Sequence, residues 1–340
     1  MGMERVVSGI RRAGPFLFVL TLLLNACGST EPALSTSRPP DSTNTDSTTP
    51  PPDSLPTDTT PVTPPPDTTG SVVPVHNGIP FGPFALPSNQ YSADFNGAYR
   101  PGAWAVDSLL IDLEAARRAN TRVLINLTGP KGYIDADGFN LDKWKEKVDR
   151  FRGVDFTSYI ADGTIVGHFL LDEPGDPSNF NGDKLTPAEV DEMARYSKEI
   201  WPTMAAIVRA WPDYLKGYEY KYLDAAWAQY HSRFGDINQF IANNVRDAKA
   251  SGLALITGLN VLNGGTSSSG IPGRNPSKYA MSASEIRSWG GALLAEPYMC
   301  AFFIWKYDSK YFSRPDIQAA LLDLNHQAEA HGKQECRKAS

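Results

Sequence analysis

Apolar and polar positions divide this chain into two unlike parts. From about His76 to Ser340, short runs of Val, Ile, Leu, Phe and Ala alternate with stretches whose apolar residues recur every three or four positions. A run that is apolar on both parities suits a strand covered on both faces, and the longer period suits a helix packed outside it. The runs fall at residues 81–87, 122–127, 165–171, 205–210, 225–230, 253–259 and 301–307. Between them, residues 106–119, 236–250 and 315–330 carry the helical spacing.

Start and stop signals support the helices. Thr186-Pro187-Ala188-Glu189 and Ser282-Ala283-Ser284-Glu285 both have the spacing of a capping box, the first with Pro at the first helical position. Gly252 stands where a helix ends just before a strand. Strand and helix alternating in one domain predict an α/β fold, and residues 76–340 amount to about 265, the usual size of one (β/α)8 TIM barrel. A closed barrel needs eight strands, so one beyond the seven runs is expected in 89–102 or 130–163, or is absent.

Residues 1–75 have a different character. Arg5, Arg11 and Arg12 precede an apolar run from Phe16 to Leu24, about nine residues against the roughly 20 that span a bilayer. That is the pattern of a signal peptide over 1–26. From Ser29 to about Thr69 the chain is mostly Pro, Ser, Thr and Asp, with too little apolar surface to offset the entropy of ordering, so 27–75 is expected to be a disordered stalk. Proline extends such a segment towards about 3.1 Å per residue, giving it a reach on the order of 100 Å.

The formal net charge is -6, and no Lys- or Arg-rich stripe marks the globular part, which argues against nucleic acid as a partner. No Ser lies in a G-x-S-x-G elbow, the five histidines lack metal-ligand spacing, and no glycine loop suits a phosphate. No metal or cofactor is implied. In the globular part the cysteines are Cys300 and Cys336. The first opens the last strand and the second follows the final helix back to the same end of the barrel. Export is oxidising, so a Cys300–Cys336 disulfide is predicted, away from the chemistry.

Barrel enzymes of this kind work at the C-terminal ends of their strands. The polar and aromatic residues expected there are Asn126, Asp172, Glu173, Arg209, Trp211, Gln229, Tyr230, Asn260, Asn263, Trp305, Tyr307 and Asp308. The strongest signal is Gly167-His168-Phe169-Leu170-Leu171-Asp172-Glu173-Pro174, an apolar strand delivering two carboxylates to the rim. Burial and a neighbouring anion both raise a carboxyl pKa, which suits Glu173 to a general acid tuned by Asp172. Arg209 pairs with an acid or holds a substrate carboxylate or hydroxyl. Trp211, Trp227, Tyr230, Trp305 and Tyr307 offer flat apolar faces with polar edges, and Asn126, Asn260 and Gln229 are hydrogen-bonding neighbours. The polar stretch 264–278 is expected to form a mobile loop over the site.

Two resemblances sharpen these expectations. Leu24-Asn25-Ala26-Cys27 resembles the lipobox of bacterial lipoprotein signals. It implies cleavage before Cys27, acylation there and a membrane partner through that anchor; Gly28 in the following position leans towards the outer membrane or cell surface. The strand ending Asp172-Glu173-Pro174 is similar to the Asn-Glu-Pro end of the fourth strand in the large clan of glycoside hydrolases on (β/α)8 barrels. The likeness implies Glu173 as acid/base and Trp305, near the end of the eighth strand, as a sugar platform. The clan's second Glu, at the end of the seventh strand, has no counterpart: that strand ends Thr257-Gly258-Leu259-Asn260-Val261-Leu262-Asn263. Asp308 is then a candidate nucleophile or base, or Asp172 supports a mechanism with one true acid, as when a substrate acetamido group attacks, or the barrel binds sugar without cleaving it. The expectation is a lipid-anchored glycoside hydrolase acting on an oligo- or polysaccharide, with a non-catalytic surface carbohydrate-binding protein as the alternative.

Overall fold

The computed structural model describes residues 76–338 except 93, 103–104 and 130–131. The expected signal peptide, the Cys27 anchor and the stalk lie outside the described residues.

The chain forms eight parallel barrel strands: β1 (Phe81–Pro83), β2 (Gly97–Arg100), β3 (Arg122–Ile125), β4 (Ile165–Asp172), β5 (Ala206–Arg209), β6 (Ala225–Trp227), β7 (Ala254–Thr257) and β8 (Met299–Ile304). Each pairs with its neighbour in chain order, and β8 pairs with β1. A parallel bridge between Phe84 and Tyr99, with the Ala85 N–H donating to the Tyr99 carbonyl at 3.0 Å, joins β1 to β2 and completes the ring. This is the α/β TIM barrel expected, with helices packed between the strands.

The strand hidden in the sequence is β2. Gly97-Ala98-Tyr99-Arg100 carries one large apolar side chain and lies between short loops, so no apolar run announces it. Its glycine is needed for closure. A Cβ on Gly82 of β1 would stand 1.7 Å from the Gly97 carbonyl oxygen, and a Cβ on Gly97 would crowd the Phe81 nitrogen at 2.7 Å. The seam therefore closes only where both strands lack side chains. The other uncertain stretch, 130–163, forms a two-stranded hairpin (Ile134–Asp135 with Gly138–Phe139) and the helices α2 (Leu141–Asp149) and α3 (Thr157–Ala161).

Alternation along the strands sorts side chains into two cores. Outward residues meet the helix layer, which comprises chiefly α1 (Val106–Arg118), α4 (Pro187–Ile200), the short α5 (Pro212–Leu215), α6 (Ile237–Ala250), α7 (Ala283–Leu294) and α9 (Pro315–Ala330). Both capping boxes form, at Thr186/Glu189 and Ser282/Glu285. Inward residues fill the barrel with rings: Phe84, Tyr99, Phe169, Trp227 and Phe303 pack with centroids 3.8–6.1 Å apart. The interior is therefore a solid aromatic plug, not a pore. At the bottom, Cys300 and Cys336 form the expected disulfide, tying the end of the chain to β8.

His168, on the outward side of β4, is fully buried and stacks on Trp144, with its Nδ1 2.8 Å from the Ser197 hydroxyl. Burial pushes its pKa down from the ordinary 6.5 to about 3. Between those values the unfolded chain binds the extra proton, so His168's share of stability is complete above about pH 6.5 and is lost as pH falls towards 3. Acidification from pH 7 to 5 is expected to lower the urea midpoint of the wild type, with a shallower slope for His168→Gln, checked by denaturation across that range. Phe303→Ala opens the plug and is expected to cost about 3–5 kcal/mol in the same assay.

Candidate functional site

The site is assembled on top of the plug by strand parity. Along β6 and the segment that continues it, Ala225, Trp227, Gln229 and His231 follow one another at every second position, and the last three line one cavity. On β4 a bulge intervenes: Phe169 pairs with Ile207, but Asp172 pairs with Arg209, three residues on one strand against two on the other. The extra residue sets Asp172 opposite the inward-facing Arg209, where regular pairing would have set Leu171.

Arg209 is the centre of this cluster. Its Nε donates to the Asp172 carboxylate, and a second guanidinium nitrogen lies 3.3 Å from Glu173 Oε1. Burial works against the arginine's charge, but the Asp172 and Glu173 carboxylates outweigh it, and its pKa is raised. The backbone adds a link, with the Glu173 N–H donating to the Arg209 carbonyl at 2.8 Å. Glu173 has a φ of +46°, left-handed backbone for a residue with a Cβ. Such a conformation costs about 1–3 kcal/mol and persists where its surroundings enforce it, commonly at functional sites. The carboxylates stay partly open to solvent, at 48% for Asp172 and 39% for Glu173. The charged neighbour the two carboxylates share is the Arg209 guanidinium.

Glu173, Arg209, Trp211, Trp227, Gln229, His231, Arg233 and Asn260 enclose an inner cavity of about 80 Å³. It shares His231, Arg233 and Asn260 with an outer cavity of about 460 Å³, walled by Asn263, Thr266, Asn275, Lys278 and Tyr279. The two form one cleft across the ends of β5, β6 and β7. Its outer wall is the expected loop 264–278. That loop is tied down by the bridges Gly265–Tyr279 and Pro272–Tyr279 and by the Asn275 N–H donating to Asn263 Oδ1 at 2.8 Å.

The sequence-selected residues separate into those at the cleft and those elsewhere. Glu173, Arg209, Trp211, Gln229 and Asn260 line it, and Asp172 joins through Arg209. Trp305 pairs with Asn260 at the end of β8 and lies under the Arg274 guanidinium, 5.7 Å from its ring centroid. Tyr230 is elsewhere: one position out of phase with Gln229, it is 1% exposed, packs on Phe240 and Trp289, and donates to the Gly235 carbonyl at 2.6 Å. Tyr307 lies beyond the cleft, against Phe312, in a separate cavity between the end of β8 and α9. Asp308 is exposed and caps the short helix α8 (Ser309–Phe312), accepting from the Tyr311 N–H at 2.9 Å, and it lines neither part of the cleft. Asn126 holds its own loop, accepting from the Thr128 and Gly129 N–H groups while its amide donates to the Tyr99 hydroxyl. Asn260 likewise accepts from the Asn263 N–H.

His231, Arg233 and Lys278 escaped the reading of the sequence. For His231 the signal was present: it continues the alternation of Trp227 and Gln229. Arg233 and Lys278 reach the cleft from irregular segments, for which no periodicity exists. Among the described residues no group of three or more His, Cys, Asp or Glu side chains could hold a metal ion.

No family model matches the sequence, and no curated protein matches it. Solved structures similar to this chain include an endocellulase from Pyrococcus horikoshii complexed with cellotetraose, with 12% identity, a TM-score of 0.48, and 73% of this chain and 92% of the other covered. A family 5 glycoside hydrolase mannosidase from Rhizomucor miehei gives 9%, 0.42, 70% and 86%. A β-glucuronidase from an uncultured Clostridium species gives 10% and 0.47, with 75% of this chain and 50% of that one covered. These structural neighbours are glycoside hydrolases.

Arg209→Met removes both ion pairs at once. Because the carboxylates are partly solvated, the expected loss is about 1–2 kcal/mol rather than the 3–5 of a fully buried pair, and it shrinks at high salt. Urea denaturation of wild type and variant at low and at 1 M salt checks both points.

Proposed function

We propose that this protein is a carbohydrate-active barrel, a glycoside hydrolase in which Glu173 exchanges the proton with the glycosidic oxygen. The observation that carries the proposal is the setting of Glu173. It stands at the end of β4 in left-handed backbone, lines the cleft, and is held by Arg209 over an aromatic floor. Trp211 and Trp227 supply apolar area against which a sugar ring packs, and Arg209 and Gln229 supply donors for its hydroxyls. Glu173 is the one carboxylate lining either part of the cleft among the described residues. The nucleophile in this proposal therefore comes from the substrate, as an acetamido oxygen bonding to the anomeric carbon while the bond to the leaving sugar breaks. Glu173 gives its proton to the leaving oxygen and regains one from the water that opens the intermediate.

The missing second carboxylate favours a second reading, a surface carbohydrate-binding protein without turnover. Asn260 and Asn263 stand where the clan's nucleophile would be, and their side chains fasten backbone. In both readings Cys27 anchors the chain in a bacterial envelope membrane and the stalk carries the barrel outward, a proposal that rests on Leu24-Asn25-Ala26-Cys27 and the composition of 27–75.

Hydrolysis of a broad glycan panel by the full chain, beside Glu173→Gln, separates the readings. The hydrolase predicts sugar release that falls about 100-fold or more in the variant. No release from any glycan, with equal binding by both proteins in calorimetry, establishes the binding protein instead.

A further inference from the structure

The charges lining the outer part of the cleft are one-sided. The outer cavity is lined by Arg233, Lys278 and His231 and by no Asp or Glu. Neither Arg233 nor Lys278 forms an ion pair among the described residues. Both are exposed at the cleft wall, and Arg233 lies over the Phe234 ring, 5.1 Å from its centroid. Arg274 stands nearby over the Trp305 ring. All this occurs on a chain of net charge -6, so the positive wall is local and runs against the balance of the whole molecule.

A second observation comes from the floor. Trp227 Nε1 and Gln229 Nε2 are buried hydrogen-bond donors that lack a partner among the described residues, and both residues line the inner cavity. Trp227 is 1% exposed and Gln229 7%. A buried donor left unpaired costs about 1–3 kcal/mol, which an acceptor arriving with a ligand recovers. The floor therefore suits a ligand with acceptor oxygens, and the outer wall one that also carries negative charge.

We propose, resting on the carbohydrate reading above, that the cleft selects an anionic saccharide, with a sugar carboxylate or sulfate against Arg233 and Lys278 and a neighbouring ring over Trp227 and Gln229. Guanidinium and ammonium groups bind such oxyanions through charge-assisted hydrogen bonds, and a wall without acids imposes no repulsion on them. His231 lies in the field of Arg233 and Lys278. Burial first, and then those two cations, lower its pKa to about 4. It is neutral at pH 7 and serves there as a hydrogen-bonding group, so the positive charge of the wall at that pH is that of the Arg and Lys side chains.

Calorimetry on the full chain with four probes tests this: an oligogalacturonate for carboxylate, a chondroitin sulfate oligosaccharide for sulfate, and cellotetraose and mannotetraose as neutral controls. One or both anionic probes are expected to bind at least about tenfold more tightly than the neutral ones, the stronger identifying the anionic group. That binding is expected to weaken several-fold between 20 and 300 mM salt and about five- to tenfold in Arg233→Gln and in Lys278→Gln, each shown to be folded by its melting curve. Neutral probes binding as well as anionic ones, or anionic binding indifferent to salt and to both variants, overturns the inference and leaves the carbohydrate reading standing. If none of the four binds and no glycan of the hydrolysis panel is cleaved, both fall.

Discussion

The structure depends on how the barrel is filled. Eight strands around an empty centre would collapse or flood; here Phe84, Tyr99, Phe169, Trp227 and Phe303 pack edge and face against one another and exclude water from the interior. The plug sets where the interior ends and the cleft begins. Trp227 belongs to both, a core ring that is also the floor of the inner cavity. One residue further up, strand parity gives way to polar side chains, and Arg209 gathers the two carboxylates that β4 delivers. Site and core are thus consecutive layers of one stack, and the rigidity of the lower layer fixes the geometry of the upper one.

Much of this was legible. Apolar runs located seven of the strands because strands covered on both faces leave little choice of residue. The capping boxes at Thr186 and Ser282 and the Cys300–Cys336 pairing followed from local chemistry and from the topology. β2 was not legible, because its requirement is the reverse of an apolar run: Gly97 is there so that Gly82 can approach it.

At the site, the residues near the strand ends were named, but their directions were not. A one-residue difference in phase separates Gln229 in the cleft from Tyr230 in the outer core. The bulge before Asp172 reverses the phase on β4, and no simple pattern in the sequence encodes it. Asp308 was chosen for its chemistry near a strand end, yet its carboxylate is the cap of the next helix, a role Asp fills often. The cations of the outer wall come from irregular segments, placed there by backbone bridges such as Gly265–Tyr279.

The central claim is that carbohydrate binds in the cleft over Trp227, between Glu173 and the wall at Lys278. Hydrogen–deuterium exchange of the full chain, with and without a saturating glycan found to bind it, locates the ligand without any mutation. The account predicts slowed exchange confined to the segments after β4, β5 and β6 and to residues 260–279. Protection centred instead on the cavity between Tyr307 and Phe312, with the cleft unchanged, would contradict it.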